Sequence, residues 1–309
     1  MTTRTIRTPR RHTSATSQVQ TRFAWLLLAP AILVVFGVIL YPLYRTVLVS
    51  LFDVRSALDP SPAFVGLGNY VAMLSSPSVW ASLGRTLYFT VVSLIIEVTL
   101  GLCLALLLNA PMRFRWLFRT AIVIPWALPT IVNAAMWKGI YNAQYGALNA
   151  VLYQLGVIHD YVPWLSEPWR AMNLVILADA WKTTPLVAFF LLAGLTSIPS
   201  ELYEAAEVDG LGWWKRFRAI TLPLLVPAIS IVVVLRTVEA FKVFDIIYAM
   251  TRGGPANGTA VISYYTYQTA FSDQSFGIGS AMAMLIVLII AILCMIYLRL
   301  IRSSEMSLL

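Results

Sequence analysis

The sequence predicts an all-α integral membrane protein with six transmembrane helices and both termini in the cytoplasm. Three observations carry this: an apolar composition, six apolar runs of spanning length, and basic residues gathered on alternate connections. Of 309 residues, 59% are hydrophobic and only 12% charged, against roughly half and a quarter in soluble domains. The mean hydropathy is +0.78.

A span needs about 20 predominantly apolar residues. The first run is Phe23–Tyr44, with Pro30 inside it, which membrane helices tolerate. The second is Leu87–Asn109. The third is Ala121–Tyr141, containing Pro125 and Pro129. The fourth is Met172–Leu195, with Pro185. The fifth is Leu224–Ala249, with Pro227, and the sixth is Phe276–Ile301. The organisation expected is a basic cytoplasmic tail (1–22), the first helix (23–44) and an extracytoplasmic loop (45–86). A five-helix core (87–301) holding a cytoplasmic segment (197–223) follows, then a short tail (302–309).

Orientation follows from Lys and Arg. With the N-terminus inside, the inner segments hold Arg4, Arg7, Arg10, Arg11, Arg22, Arg113, Arg115, Arg119, Lys215, Arg216, Arg218, Arg299 and Arg302. The outer ones hold Arg45, Arg55, Arg85, Arg170 and Arg252, so the tally is thirteen against five. The net charge of +8 is therefore read as membrane sidedness, not as a nucleic-acid footprint. Arg10-Arg11 is no twin-arginine export signal, because the apolar run behind it is long, lacks a cleavage site and is followed by five more. Cys103 and Cys294 lie inside apolar runs, and His12 and His159 are isolated, so no metal site or disulfide is expected. No Walker A pattern occurs, so the chain itself binds no ATP.

The outer loops Ser50–Arg85 and Asn142–Arg170 are rich in Gly, Pro, Ser and aromatics. They either pack over the outer helix ends or form a docking face. The inner loop Ser197–Pro223 is long and patterned. Pro199-Ser200 opens a helix whose first turn carries Glu201, favourable at a helix N-terminus. Leu202, Ala205, Ala206 and Val208 make one side apolar, and Gly210 suits the residue just past a helix end. A second short helix is expected at Trp213–Ala219. An acidic helix with a small-residue face suits a protein cleft better than anionic headgroups.

Glu204-Ala205-Ala206, Gly210 after three residues, and Ile220-Thr221-Leu222-Pro223 after nine more resemble the "EAA" signature of permease subunits of bacterial binding-protein-dependent ABC importers. Phe64-Val65-Gly66-Leu67-Gly68-Asn69-Tyr70, Trp181-Lys182-Thr183-Thr184-Pro185 and Gly253-Gly254-Pro255-Ala256-Asn257 resemble the carbohydrate, maltose-like branch, on the subunit type similar to the maltose transporter's larger permease. The resemblance runs from about Phe23 to Ile301. It implies a type I importer permease fold in the bacterial cytoplasmic membrane. It also implies a second homologous permease, an ATPase subunit dimer that holds the ATP and Mg, an extracytoplasmic sugar-binding lipoprotein and a sugar substrate. Glu201, Glu204, Ala205, Ala206, Asp209, Gly210, Ile220, Leu222 and Pro223 would then couple to the ATPase. The chain would have no catalytic role and hold no cofactor.

Eight ionisable residues fall in the runs: Glu97, Lys138, Asp179, Lys182, Arg236, Glu239, Lys242 and Asp245. At about 3 kcal/mol each on the insertion scale, roughly 24 kcal/mol in all, they cannot all face lipid. Lys138, Lys242 and Asp245 lie near outer ends, where long side chains snorkel. The others need partners or water. Asp179 with Lys182, and Arg236 with Glu239, each share a helix face at i, i+3. Rise per residue puts both pairs at comparable depth in the outer half of the bilayer. They form a structural ion-pair network, a polar chamber, or both. The resemblance implies that spans four and five supply the sugar contacts. An ungapped alignment on Gly210 and Pro223 brings Asp179, Lys182, Thr183, Leu186, Arg236, Glu239, Ala240 and Val243 to those positions. Several of these are charged where the maltose pattern has amides or small polar groups. The sugar implied is a di- or oligosaccharide such as trehalose or a maltose-like α-glucoside. A glycerophosphate or sugar phosphate is the alternative that the Lys and Arg side chains admit. An ion-coupled secondary transporter would also bury carboxylates, but no internal repeat is present.

Overall fold

The computed structural model describes residues 15–55, 61–111 and 113–306. The basic tail 1–22 lies outside the described residues up to residue 14, and only its backbone is described from Ala15; the end of the chain beyond Met306 also lies outside them.

The first apolar run forms one continuous helix, longer than its hydropathy suggests. It comprises α1 (Ala15–Val34), a π-helical stretch Val35–Leu40 and α2 (Tyr41–Ser50). Pro30 and Pro42 lie within it and do not end it. Most of its apolar surface meets nothing in this chain: the apolar window of Phe23–Ser50 is 0% buried.

A short antiparallel hairpin follows, β1 (Phe52–Asp53) with β2 (Ala63–Phe64), and then α3 (Gly68–Leu74). The Phe64–Tyr70 motif explains itself here. The Asn69 amide donates to the carbonyls of Ser50 and Phe52, both at 2.9 Å, and clasps the end of the first span. The Tyr70 hydroxyl lies 2.8 Å from Ser50 Oγ.

The second span is α4 (Pro77–Asn109), ten residues longer at its start than expected, because Pro77 supplies the preset φ of a first helical turn. The third run is not one straight helix. It divides into α5 (Arg115–Ala127) and α6 (Thr130–Ile140), set at 93° to each other. The cause is Pro129, which lacks an N–H and forces Leu128 into extended backbone, φ −71° and ψ 135°. The loop Asn142–Arg170 contains α7 (Ala147–Gln154) and the start of α8 (Pro168–Thr196). Glu167 caps α8, accepting from the amides of Trp169 and Arg170 at 3.2 and 3.1 Å.

Between α8 and the fifth span lie α9 (Ser200–Val208) and α10 (Trp213–Arg216). The expected second short helix Trp213–Ala219 is not separate. It runs through a π stretch, Phe217–Thr221, into α11 (Leu222–Phe241), so the fifth span is one helix, Trp213–Phe241. That span also ends earlier than expected. The chain leaves the helix at Lys242–Phe244, and α12 (Asp245–Met250) is a distinct element. After α13 (Ile262–Tyr267) and a π stretch Gln268–Ser272, the sixth span is α14 (Phe276–Met306).

The centre is the packing of α4 along α8. Ser93, Glu97, Gly101 and Ala105 repeat every four residues and are all fully buried, apart from Gly101's lack of a side chain. A Cβ at Gly101 would come within 2.5 Å of Val187 Cγ1. Small residues let the two backbones approach closely, as membrane helices require. Above this point lies an apolar cluster built on Phe89, Val175, Ile176 and Ile246; below it lies another on Ala105, Leu108, Leu191 and Leu225. Glu97 sits between the two.

Candidate functional site

The layer between the two apolar clusters is polar. Glu97 of α4 is 0% exposed and Arg236 of α11 is 4% exposed. Arg236 grips Glu97 with two parallel bonds, Nε to Oε2 at 2.7 Å and Nη2 to Oε1 at 2.8 Å. This is the bidentate geometry that makes Arg–carboxylate pairs strong and directional. Arg236 Nη1 donates to Glu239 Oε2 at 2.6 Å, and Nη2 reaches Asp179 Oδ2 at 3.4 Å. The Thr183 hydroxyl lies 2.8 Å from both Glu97 Oε1 and the Asp179 carbonyl, and can donate to one of them at a time. One guanidinium thus ties together α4, α8 and α11.

A cavity of about 430 Å³ opens on the upper side of this layer, within the ~300–1,000 Å³ usual for small-molecule sites. Asp179, Lys182, Thr183, Leu186, Arg236, Glu239 and Val243 line it. These are seven of the eight positions expected from the sequence. The eighth, Ala240, is 3% exposed and packs into the upper apolar cluster instead.

The break in the fifth span adds residues that spacing alone did not bring to the site. Because the helix stops at Phe241, Lys242, Phe244, Asp245 and Ile246 also line the cavity. Lys242 and Asp245, expected as snorkelling groups near the outer end, therefore face the cavity. Trp126 and Thr130 reach it from either side of the Pro129 bend. The lining charges balance, with Asp179, Glu239 and Asp245 against Lys182, Arg236 and Lys242. Their availability differs. Arg236 spends four of its five N–H groups on carboxylates, whereas Lys182 makes no hydrogen bond or ion pair among the described residues, and the Glu239 side chain is 44% exposed.

At the opposite end of α8 and α11, α9 stands on the surface. Ala206 is its buried residue; Glu201, Glu204, Ala205 and Asp209 are exposed, and Val208 is 90% exposed. The helix stops as its sequence predicts. Gly210 has φ +75°, its amide donates to Glu207 O at 3.0 Å, and Leu211 N donates to Ala206 O at 2.9 Å. This paired closure is the Schellman motif. Two contacts tie the helix to the fifth span: Arg216 to Glu207 at 3.0 Å and Tyr203 to Thr221 at 3.0 Å. Ile220 is half-buried beside Thr221, while Leu222 and Pro223 face outward. Trp213, Trp214 and Phe217 stack with ring centroids 5.6–5.9 Å apart, and Arg218 lies over Trp214 at 5.0 Å.

Residues 97–305 match the family described as the binding-protein-dependent transport system inner membrane component. The chain is 40% identical over 287 residues to the trehalose/maltose transport system permease protein MalF of Thermococcus litoralis, covering 93% of this chain and 96% of that one. It is 38% identical over 282 residues to the sulfoquinovosyl glycerol transport system permease protein SmoG of Agrobacterium fabrum, covering 91% of each. It is 35% identical over 283 residues to the trehalose transport system permease protein SugA of Mycobacterium tuberculosis, covering 92% of this chain and 90% of that one. In fold it resembles a chain of a crystallised bacterial ABC transporter involved in alginate import. The TM-score is 0.80 at 22% identity, over 93% of this chain and 98% of that one. The family match, the sequence relatives and the multi-span architecture agree: the chain belongs to the binding-protein-dependent transport system inner membrane components, as a non-catalytic, multi-pass permease subunit of the carbohydrate-uptake type.

Proposed function

We propose that the chain carries a neutral di- or oligosaccharide, of the trehalose or maltose-like α-glucoside kind, across the cytoplasmic membrane through the cavity between α8 and α11. The observation that carries this reading is the cavity itself. Its walls offer three carboxylates against two ammonium groups and a guanidinium, with two threonine hydroxyls and with Trp126 and Phe244 as apolar faces. Asp179 and Glu239 can accept from vicinal hydroxyls, and Lys182 and Thr183 can donate. The named relatives carry trehalose, maltose and sulfoquinovosyl glycerol, which supports a glycoside. A phosphorylated ligand fits less well, because Arg236, the strongest anion binder in the wall, is already held by Glu97 and Glu239.

Transport is driven by partners. α9 is the piece that a separate ATPase dimer grips, with Glu201, Glu204, Ala205, Ala206, Asp209 and Gly210 facing it and Ile220, Leu222 and Pro223 linking it to the fifth span. ATP and Mg belong to that dimer. Its closing moves α9 and, with it, spans three to five as a unit, and re-aims the cavity outward to receive sugar from an extracytoplasmic binding protein. The unburied first span suits a second, homologous permease or lipid. Both termini lie inside, on the side of α9, in keeping with Lys215, Arg216, Arg218, Arg113, Arg115 and Arg119 at that end.

The test is uptake by the assembled complex in proteoliposomes, with trehalose, maltose and glycerol 3-phosphate as probes. Vanadate-sensitive, binding-protein-dependent uptake of a glucoside is expected. Uptake abolished by an ionophore and indifferent to vanadate would sink the ATP-driven scheme, and uptake of glycerol 3-phosphate alone would overturn the sugar.

A further inference from the structure

A second cavity, of about 360 Å³, lies beside α9. Its place along the chain fixes its depth. Asn109 is the last residue of α4, Leu195 is the next to last of α8, and Trp213 is the first of the fifth span; all three line the cavity. Spanning helices end where the bilayer meets water, so the cavity sits at that boundary.

Its walls suit that level. Leu106 and Leu195 give an apolar side from the last turns of α4 and α8, while Tyr203, Thr221 and Arg216 supply two hydroxyls and a guanidinium. The Trp213 and Phe217 rings in the wall lie nearly parallel, at 11° and 5.7 Å, and Trp213 is 64% exposed. Residues 212–219 hold three bases, Lys215, Arg216 and Arg218, and no acid. Arg216 donates from Nη1 to Glu207 at 3.0 Å, and its guanidinium makes no other hydrogen bond among the described residues. Lys215 and Arg218 are exposed beside it.

The neighbouring α9 has the opposite character. It exposes Glu201, Glu204 and Glu207 and carries no base, so an anionic surface repels it. Two segments a few residues apart therefore suit different partners. Trp and basic side chains at a membrane boundary suit anionic headgroups. A pocket there with an apolar inner side and a cationic group matches the ester region and phosphate of a single phospholipid.

We propose that this cavity seats the headgroup of an anionic phospholipid from the leaflet on the α9 side. Its phosphate meets Arg216, with Lys215 and Arg218 around it, and its glycerol-ester region lies against Trp213 and Phe217. The seat bears on the joint between α9 and the fifth span. Tyr203 and Thr221, both in the wall, meet at 3.0 Å across that joint, and Thr221 ends the π stretch Phe217–Thr221, a helix form that recurs at functional sites. A lipid in the cavity braces the joint. The seat is independent of the sugar reading; the brace rests on the coupling role proposed for α9.

The experiment uses the complete complex in nanodiscs of phosphatidylcholine, with phosphatidylglycerol or phosphatidylcholine carrying the same photoreactive group on the upper acyl chain as probes. Phosphatidylglycerol should label the segment 213–221 about tenfold more than phosphatidylcholine, the worth of one charge-assisted contact. Arg216→Gln should remove most of that preference. Because Arg216 also holds Glu207, that variant can loosen α9, so the exposed pair Lys215→Gln with Arg218→Gln is the second variant; it should lower the labelling about threefold while ATPase capture is kept. Equal labelling by the two lipids overturns the seat, as does labelling that both variants leave unchanged. Labelling that appears only once the ATPase dimer is stripped off overturns it too, since the cavity then belongs to the ATPase. Labelling abolished by millimolar inorganic phosphate points to a soluble anion and overturns the lipid. ATPase activity of the wild type that is the same with and without phosphatidylglycerol overturns the brace.

Discussion

The surface helix α9 and the buried layer around Arg236 are both rich in charge, and they use it in opposite ways. In α9, Glu201, Glu204 and Asp209 are exposed, and a single ion pair, Glu207 with Arg216, joins the helix to its neighbour. In the layer, Arg236 alone meets three carboxylates from three helices. A charge left open on the surface is available to a second protein, and exposed pairs there are worth little to stability. A charge closed inside the bilayer has no such freedom and must hold the fold. The cavity lies at the seam between these regimes: its floor is closed by the Arg236 ion pairs, while Lys182 and part of Glu239 remain open. Substitutions at the three levels of closure should therefore fail in three different ways.

The closed level should show the largest effect. Glu97→Ala leaves the Arg236 guanidinium buried without its bidentate partner. Breaking a buried pair from one side costs about 3–5 kcal/mol. The expected outcome is a large drop in the thermal midpoint of the detergent-purified complex and poor recovery of the permease. The double variant Glu97→Met with Arg236→Met removes that pair but leaves Asp179 and Glu239 without their guanidinium, so it should recover only part of that stability. If Glu97→Ala melts with the parent, the layer is not what joins α4 to α11.

The open level was the more legible in the sequence. Helix start, acidic first turn and the glycine terminator of α9 are local rules, and the structure follows them from Pro199 to Gly210. The spans were legible as apolar runs, but their ends were not. Hydropathy is blind to a missing N–H, so Pro129 bends what reads as one run by 93°. It is equally blind to the turn at Lys242–Phe244, because Ile246, Ile247, Ala249 and Met250 continue the apolar pattern beyond the helix end. Burial cost alone said that Glu97 needs a partner; that the partner is Arg236, 139 residues away, is a property of the packing. A signal was present in the four-residue repeat Ser93, Glu97, Gly101, Ala105, a small-residue face that marks where another helix comes close.

Gly210→Pro should separate docking from folding. The native φ of +75° is closed to proline, and the Gly210 amide that bonds Glu207 would be lost. The damage is confined to an exposed turn, so membrane insertion and the thermal midpoint of the permease should change far less than in Glu97→Ala. The backbone cost is about 1–3 kcal/mol. ATPase capture in a pull-down and uptake in proteoliposomes should both fall sharply. Capture and uptake at parental levels would remove α9 from the coupling scheme.

Glu239→Gln tests the seam, where the smallest structural effect is expected. The side chain is 44% exposed and makes one charged contact, to Arg236 Nη1 at 2.6 Å. A glutamine oxygen can still accept that bond, and Arg236 keeps Glu97 and Asp179, so assembly and melting should stay near the parent. What changes is the cavity wall, where a carboxylate, the acceptor that the proposed function assigns to sugar hydroxyls, becomes a weaker, half-donating amide. Sugar-stimulated ATPase activity should therefore fall several-fold, on the order of one charge-assisted hydrogen bond, while co-purification with the second permease and the ATPase is kept. The reverse pattern, with the complex failing to assemble, would place Glu239 with Glu97 among the groups that hold the helices together and move the boundary of the substrate chamber outward, toward Lys182 and Phe244.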